Sequence, residues 1–354
     1  MPSWSPDGKR IAFQASVRGA RDSSASHLWI VETQGGAVTK LAPHDEPYLD
    51  EAPYWFPDGQ RLAFQSNRTG RMEVWITNAD GSGQRIVTRP AGAAGTPYVS
   101  PDGRRLAFTG TIQDRGGLFV VDADGKNPRP LTHGSGGVWS PDGSTLLLQH
   151  GEGQPVALIN ADGTGERFVA GTNGAQTPSW SPDGARLLFT AGVFPNLHIE
   201  TIKLDGSDRR DAMPDSGFNY DAVWSPDGRR IAFVRGIPYQ GVRVFVMNAD
   251  GTDQRRLTTN NLNEERPSWS PDGRFLAFQA STRGGRWPTH AYIHVVDVRT
   301  GAERALATHD HPYLDETPSW FPDGKRLAIQ SNRDGRMAVY VTDLDGNTLA
   351  RVAP

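Results

Sequence analysis

The sequence contains no cysteine. That excludes disulfides, thiolate zinc sites and cysteine nucleophiles. No run of apolar residues reaches the 18 or so that a membrane-spanning helix needs. No sign of charge dominates: 37 Lys and Arg stand against 40 Asp and Glu, for a net charge of −3. A broadly basic surface for nucleic acid is therefore excluded. The N-terminus, Met1-Pro2-Ser3-Trp4, lacks the charged and then apolar regions of a signal peptide. Catalytic signatures are missing too. There is no Gly-x-Ser-x-Gly elbow, no glycine-rich phosphate loop and no His-Glu-x-x-His zinc motif. No cofactor, no metal and no catalytic residue is expected on these grounds, and the balance leans away from an enzyme.

Glycine (40) and proline (26) are plentiful, together 66 of 354 residues. That fraction stays below the roughly 25–30% that marks low-complexity disorder. Ten Trp, fourteen Phe and eight Tyr supply apolar area that a disordered chain would lack. The chain is therefore folded and rich in turns. At about 150 residues per domain, its length alone suggests two or three domains.

Repeats overrule that count. The string Trp-Ser/Phe-Pro-Asp-Gly starts at Trp4, Trp55, Trp139, Trp180, Trp224, Trp269 and Trp320, and an eighth copy starts at Val99 in place of Trp. The spacings are 51, 44, 40, 41, 44, 45 and 51 residues. After each Pro-Asp-Gly comes a short apolar run such as Arg10-Ile11-Ala12-Phe13 or Arg61-Leu62-Ala63-Phe64. Proline presets φ, Asp bonds its own backbone and Gly takes positive φ, so each string is a hairpin turn. A second β-rich run follows, such as Val74-Trp75-Ile76-Thr77, then an Asp-Gly turn and a last short strand. Four short strands per roughly 44 residues, with no helical periodicity, describe a propeller blade. A single blade cannot bury both faces of its sheet, and stacking does so. The expected fold is all-β: one eight-bladed β-propeller of four-stranded antiparallel blades over residues 1–354. Blades are placed at about 2–52, 53–96, 97–136, 137–177, 178–221, 222–266, 267–317 and 318–354. Blade 8 is then complete on its own, and side-chain packing against blade 1 closes the ring. The alternative is a six-bladed ring with two surplus blades, which would leave an aromatic face in water.

The pattern Pro2-Ser3-Trp4-Ser5-Pro6-Asp7-Gly8-Lys9-Arg10-Ile11-Ala12-Phe13, with Ser66-Asn67-Arg68 and Asn78-Ala79-Asp80-Gly81 downstream, resembles the TolB-type WD-like β-propeller repeat. The resemblance runs over essentially the whole chain. It is specific for fold and nearly silent on function. It implies kinship with periplasmic interaction proteins, with propeller domains of serine peptidases and with some polysaccharide lyases. The domain that precedes the propeller in TolB is not seen in this sequence. A periplasmic or secreted address follows from the resemblance, and a cytoplasmic one from the missing signal peptide.

Residues 2–81 align without gaps to residues 267–346, and 47 of the 80 positions are identical. Blades 1 and 2 are thus near copies of blades 7 and 8, side by side in a closed eight-blade ring.

The motif Trp residues read as packing between blades. So does the slot five residues before each Asp-Gly turn, held by Trp29, Trp75, Phe119, Phe245 and Tyr340. Glu200 and His294 occupy that slot in blades 5 and 7, where a polar group needs a partner or an exposed setting. The Pro-Asp-Gly aspartates are explained by their turns. Asp122-Ala123-Asp124-Gly125 lacks the later positions of a calcium loop and also reads as a turn.

What breaks the repeat lies on the rim formed by the strand 2–3 hairpins and the inter-blade loops, the usual binding face. Blade 1 carries His44-Asp45-Glu46-Pro47-Tyr48-Leu49-Asp50-Glu51, and blade 7 carries His309-Asp310-His311-Pro312-Tyr313-Leu314-Asp315-Glu316. The same blades have the longest hairpins, residues 15–27 and 280–290, with Arg18, Arg21, Arg283, Arg286 and Trp287. The candidate binding residues are His44, Asp45, Tyr48, Asp50, Arg68, His309, His311, Tyr313, Asp315 and Arg333. Against this stands a plainer reading, in which the carboxylates cap the loop, Tyr packs beneath it and duplication copied the arrangement. His309 and His311 point the same way in an extended segment and could hold a divalent metal, but Glu46 replaces the second His in blade 1.

The expected function is a non-catalytic binding scaffold that recognises a protein or peptide through one rim, as a monomer without nucleic acid. The first alternative is a carbohydrate-active enzyme such as a lyase on acidic sugars, with Arg on the uronate and His or Tyr removing a proton. The second is a scaffold without an evolved ligand, a fragment or an engineered assembly, which the near-identical blade pairs also fit.

Overall fold

Each blade is organised by its Pro-Asp-Gly turn. In the computed structural model the Ser5 hydroxyl donates to Asp7 at 2.6 Å and accepts the Arg10 amide at 2.9 Å. Gly8 sits at φ 66°, a region that a side chain penalises. The same hydroxyl–carboxylate contact of 2.6 Å recurs at Ser100, Ser140, Ser181, Ser225 and Ser270. Where Phe replaces Ser, as at Phe56 and Phe321, an arginine takes over: Arg61 and Arg326 bond Asp58 and Asp323 at 2.7 and 2.9 Å. The Ser140 hydroxyl and the Ser144 amide hold Asp142 below the usual carboxylate range. These aspartates are turn-makers, as their sequence context implies.

The structure describes residues 3–18, 24–33, 37–41, 48–88, 94–112, 115–211, 218–282, 290–306, 314–335 and 337–351. Among them there is no α-helix, and hence none long and apolar enough to cross a membrane. Their strands form antiparallel sheets in simple up-and-down order. The chain divides into two compact units, Met1–Val169 and Ala170–Pro354. In each the described strands group into four-stranded antiparallel sheets. Two blades in the second unit are joined into one longer sheet by a single parallel bridge, Leu197 to Phe218. That bridge is not an oddity. Ser26–Leu49 and Ala291–Leu314 are parallel bridges at the equivalent positions of other blades. In each case the inner strand of one blade begins beside the third strand of the blade before it.

The two middle strands of each blade are apolar on both sides, because a neighbouring blade covers each face. Arg61–Ser66, for example, buries Leu62, Ala63 and Phe64 in succession. Within a blade, aromatic pairs span strands 2 and 3: Phe64 on Trp75, Phe108 on Phe119 and Phe233 on Phe245, with centroids 5.4 to 6.4 Å apart. Between blades the motif indoles act as mortar. Trp55 donates its N–H to the Ser3 carbonyl at 3.0 Å, and Arg10 lies over its ring at 5.0 Å. Arg105 and Arg230 repeat the second contact on Trp139 and Trp269. Each buried indole removes roughly 150–250 Å² from water, worth several kcal/mol at about 25 cal/mol per Å².

Every inner strand from the second blade on, except that of blade 3, bulges before its Trp. The bulged residue three positions upstream takes positive φ: Ala52, Gly136, Thr177, Asp221, Arg266 and Thr317. A bulge bends the strand and re-aims its upper end, which places the rim residues.

Candidate functional site

Five residues before the motif Trp, the inner strand turns a side chain into the blade. Asp50 and Asp315 occupy this slot and are buried. Each is clasped by the arginine of the downstream Ser-Asn-Arg string. Arg68 reaches both oxygens of Asp50, at 3.1 and 2.8 Å, and Arg333 reaches both of Asp315, at 3.0 and 3.1 Å. The guanidinium of Arg68 also lies over Phe64 and Trp75, and that of Arg333 over Tyr340. The preceding asparagines pin the same loop ends: Asn67 and Asn332 accept the amides of Leu49 and Leu314, both at 2.7 Å. Asp50, Arg68, Asp315 and Arg333, picked out from sequence as binding residues, are thus engaged with each other. Each pair ties the start of an inner strand to the turn after the next strand. Tyr48 is half-buried, and its carbonyl accepts the Ser26 amide at 3.1 Å. His44, Asp45, His309, His311 and Tyr313 lie outside the described residues, as do Arg21, Arg283, Arg286 and Trp287.

The two polar residues in the aromatic slot have partners. Glu200 is buried against Arg209 at 2.5 and 2.7 Å and His198 at 2.9 Å. The His294 ring lies tilted against Phe278 at 5.6 Å, and its Nδ1 meets Glu303 at 2.7 Å. Burial opposes ionisation of Glu303, but the bonds from His294 and Asn260 outweigh it and hold the carboxyl below its ordinary value. Both residues are satisfied structural groups. Among the described residues no group of three or more His, Asp or Glu stands where it could hold a metal ion.

The rim of the second unit carries what sequence reasoning missed. The hairpin joining Arg186–Val193 to Asn196–Lys203 projects Phe194, which is 75% exposed, beside the equally bare Val193. The next hairpin projects Tyr239, fully exposed. Phe194 meets Phe218 edge-on at 5.2 Å, and Phe218 meets Tyr220 at 4.7 Å. The recurring parallel bridge brings these together, because it seats Phe218 beside Leu197. The Tyr220 hydroxyl bonds Glu265 at 3.1 Å. Burial and the nearby Glu265 push the Asp221 carboxyl above its ordinary value and the Tyr220 phenol far above its own. The result is an aromatic edge with two carboxylates at its foot. The signal was present in the strings Val193-Phe194-Pro195 and Ile237-Pro238-Tyr239 of these two hairpins.

A second concave feature belongs to the first unit. Trp4, Tyr54, Trp55, Tyr98, Val99, Val138 and Trp139 line a groove of about 540 Å³ at the Pro-Asp-Gly end of the inner strands.

Comparison with known proteins bears on this arrangement. The sequence matches the TolB beta propeller domain over residues 1–218. It is 35% identical over 89 residues to the uncharacterized peptidase YuxL of Bacillus subtilis, covering 25% of this chain and 13% of that protein. It is 31% identical over 87 residues to the Tol-Pal system protein TolB of Anaeromyxobacter dehalogenans, covering 25% and 18%. The matching stretches thus span well under a third of these relatives. Among solved structures, an oligogalacturonate lyase in complex with manganese superposes with a TM-score of 0.63 at 17% identity, over 96% of this chain and 98% of the lyase. That likeness is one of fold. The repeat motif, the all-β blades and the match over more than half of the sequence agree, and the chain belongs to the TolB beta propeller domain family.

Proposed function

We propose that this protein is a binding module that recognises a protein or peptide through the rim bearing the strand 2–3 hairpins and inter-blade loops. One observation carries the reading: Phe194 and Tyr239 lie exposed on neighbouring hairpins of that rim, and Phe194 meets the half-buried Phe218, which in turn meets Tyr220. Exposed contiguous apolar surface of this kind marks an interaction site, and Tyr and Phe are favoured anchors there. The duplicated clasps of Asp50 with Arg68 and Asp315 with Arg333 support it, since they hold the inner-strand starts that follow segments 44–48 and 309–313 in the sequence. A periplasmic or secreted address belongs to the same reading, from the family alone. The test is panning of a random peptide library. Enriched peptides should bind the Phe194→Ser/Tyr239→Ser variant at least tenfold more weakly. No enrichment, or equal binding to the variant, would sink the proposal.

A second reading, a lyase on acidic sugars, is favoured by the fold likeness to oligogalacturonate lyase over nearly the full length of both chains. The described residues offer no cluster fit for the manganese of that complex, so no step is drawn through a metal. Incubation with oligogalacturonates should then give unsaturated products absorbing in the near ultraviolet, and a flat absorbance rejects this reading.

A further inference from the structure

The position before each motif aromatic differs between the two compact units. In the first unit it holds Ser3, Tyr54, Tyr98 and Val138, and in the second Ser179, Val223, Ser268 and Ser319. Duplication sharpens the contrast: Ser319 matches Tyr54 in the gapless alignment of residues 2–81 with 267–346. In the first unit these side chains border the groove of about 540 Å³ that runs along the inner strands at their Pro-Asp-Gly ends. Trp55 and Trp139, both buried, lie in its lining. Tyr54 is 44% and Val138 38% exposed there, and Trp4 and Tyr98 are half-buried.

None of the lining residues carries a charge, and Pro6, Pro57 and Pro101 add apolar surface without an N–H. The indole N–H groups of Trp55 and Trp139 are spent on the Ser3 and Tyr98 carbonyls, at 3.0 and 2.9 Å. The two phenols are not spent. Among the described residues neither the Tyr54 nor the Tyr98 hydroxyl bonds another residue. Burial and the neighbouring Tyr98 push the Tyr54 phenol above its ordinary value, so it remains a proton donor at neutral pH. The groove thus offers aromatic surface, proline rings and hydroxyls able to donate.

We propose that this groove holds an extended proline-rich segment of a partner polypeptide. A prolyl segment has carbonyl acceptors and no N–H donors, which complements a lining whose unspent polar groups are hydroxyl donors. It carries no charge, and the groove has nothing to pair with one that lost its water there. Its polyproline II backbone is extended before it binds, so little entropy is lost on docking, and aromatic-lined grooves recognise it in this way. A saccharide fits less well. It carries a donor on every hydroxyl and calls for strong acceptors, and the lining has no carboxylate or side-chain amide. The groove lies at the opposite end of the inner strands from the rim and does not depend on the binding role given to that rim.

The experiment is titration of the whole chain with a capped proline octamer, read by tryptophan fluorescence and calorimetry. A glycine–serine octamer and cellohexaose are the other arms. The proline octamer should bind saturably, and more tightly than either. Tyr54→Ser copies the duplicated blade and should weaken binding roughly tenfold. Val138→Lys brings a charge into the groove from an exposed position, should also weaken binding, and provides the test if Tyr54→Ser does not fold. Phe194→Ser/Tyr239→Ser alters the rim alone and should bind the octamer as the wild type does. Absence of saturable binding by the proline octamer overturns the proposal, as does equal or tighter binding of the glycine–serine peptide or of cellohexaose. So does a folded Tyr54→Ser or Val138→Lys that binds like the wild type, or loss of octamer binding in the rim variant.

Discussion

Glu264 offers a stringent check on how these blades are held together. It occupies the slot of Asp50 and Asp315 and is fully buried, yet none of the described arginines bonds it. Eighteen residues downstream, where Arg68 and Arg333 follow their aspartates, stands Thr282. Its Oε2 accepts the Val244 amide and the Thr258 hydroxyl, both at 2.8 Å, while Oε1 is buried with no partner. Burial raises its pKa, and the nearby carboxylate of Glu303 adds to the shift against the bonds and Arg256. An acid whose folded pKa lies above its unfolded value binds protons more tightly when folded. Its contribution is therefore fully present below pH 4.5, is lost as pH rises toward the folded pKa, and stays lost above it. Glu264→Gln keeps an oxygen for both donors and removes the ionisation. A buried group left unsatisfied costs about 1–3 kcal/mol and more when charged, so the carboxylate is penalised above the neutral amide nitrogen that takes the place of Oε1. The variant should gain stability relative to wild type by an amount of this order between pH 4 and pH 8. Urea unfolding at both values, with the slope m held constant, measures the difference. If Glu264→Gln destabilises equally at both, the carboxyl is not strained by its charge and the reasoning fails.

Other consequences follow from the same contacts. Arg333→Met strands the buried Asp315 and should cost about 3 kcal/mol, the low end for a broken buried pair, measured by chemical unfolding. Thr317 holds φ 50° and buries a hydroxyl without a partner. Thr317→Gly should therefore raise stability by about 1 kcal/mol, the left-handed penalty less the glycine's extra unfolded entropy, seen as a higher melting temperature. Trp139→Phe loses the bond to the Tyr98 carbonyl and ring area under Arg105. It should cost about 1–2 kcal/mol, and an unchanged unfolding midpoint would contradict the mortar role of the indoles.

The turn chemistry and the blade pattern were legible because both are local. Ser, Pro, Asp and Gly close the hairpin using atoms within five residues, so the string at Ser5–Arg10 reads the same in any context. The partners of Glu200 and His294 were expected, since a polar side chain in an aromatic slot must be satisfied. The role of Asp50 and Arg68 was less legible. Eighteen residues separate them, and a carboxylate and a guanidinium in a loop-rich sector look equally like ligand-binding groups. Phe194, Phe218 and Tyr220 were missed because their contact depends on a parallel bridge between blades, which leaves no periodic trace in the sequence.

Sequence alone therefore determined the repeating unit: the all-β class, the four-strand blade, the turn that starts each one and the Trp that packs between them. These follow from short-range hydrogen bonding and from alternation of apolar residues, which need no knowledge of the whole. Only the tertiary structure decided which irregularities matter. It showed that Asp50 pairs with Arg68 and Asp315 with Arg333. It showed too that Phe194, Phe218 and Tyr220 meet along one edge. Both outcomes depend on what a neighbouring strand or blade brings within a few ångströms, and that is a property of packing.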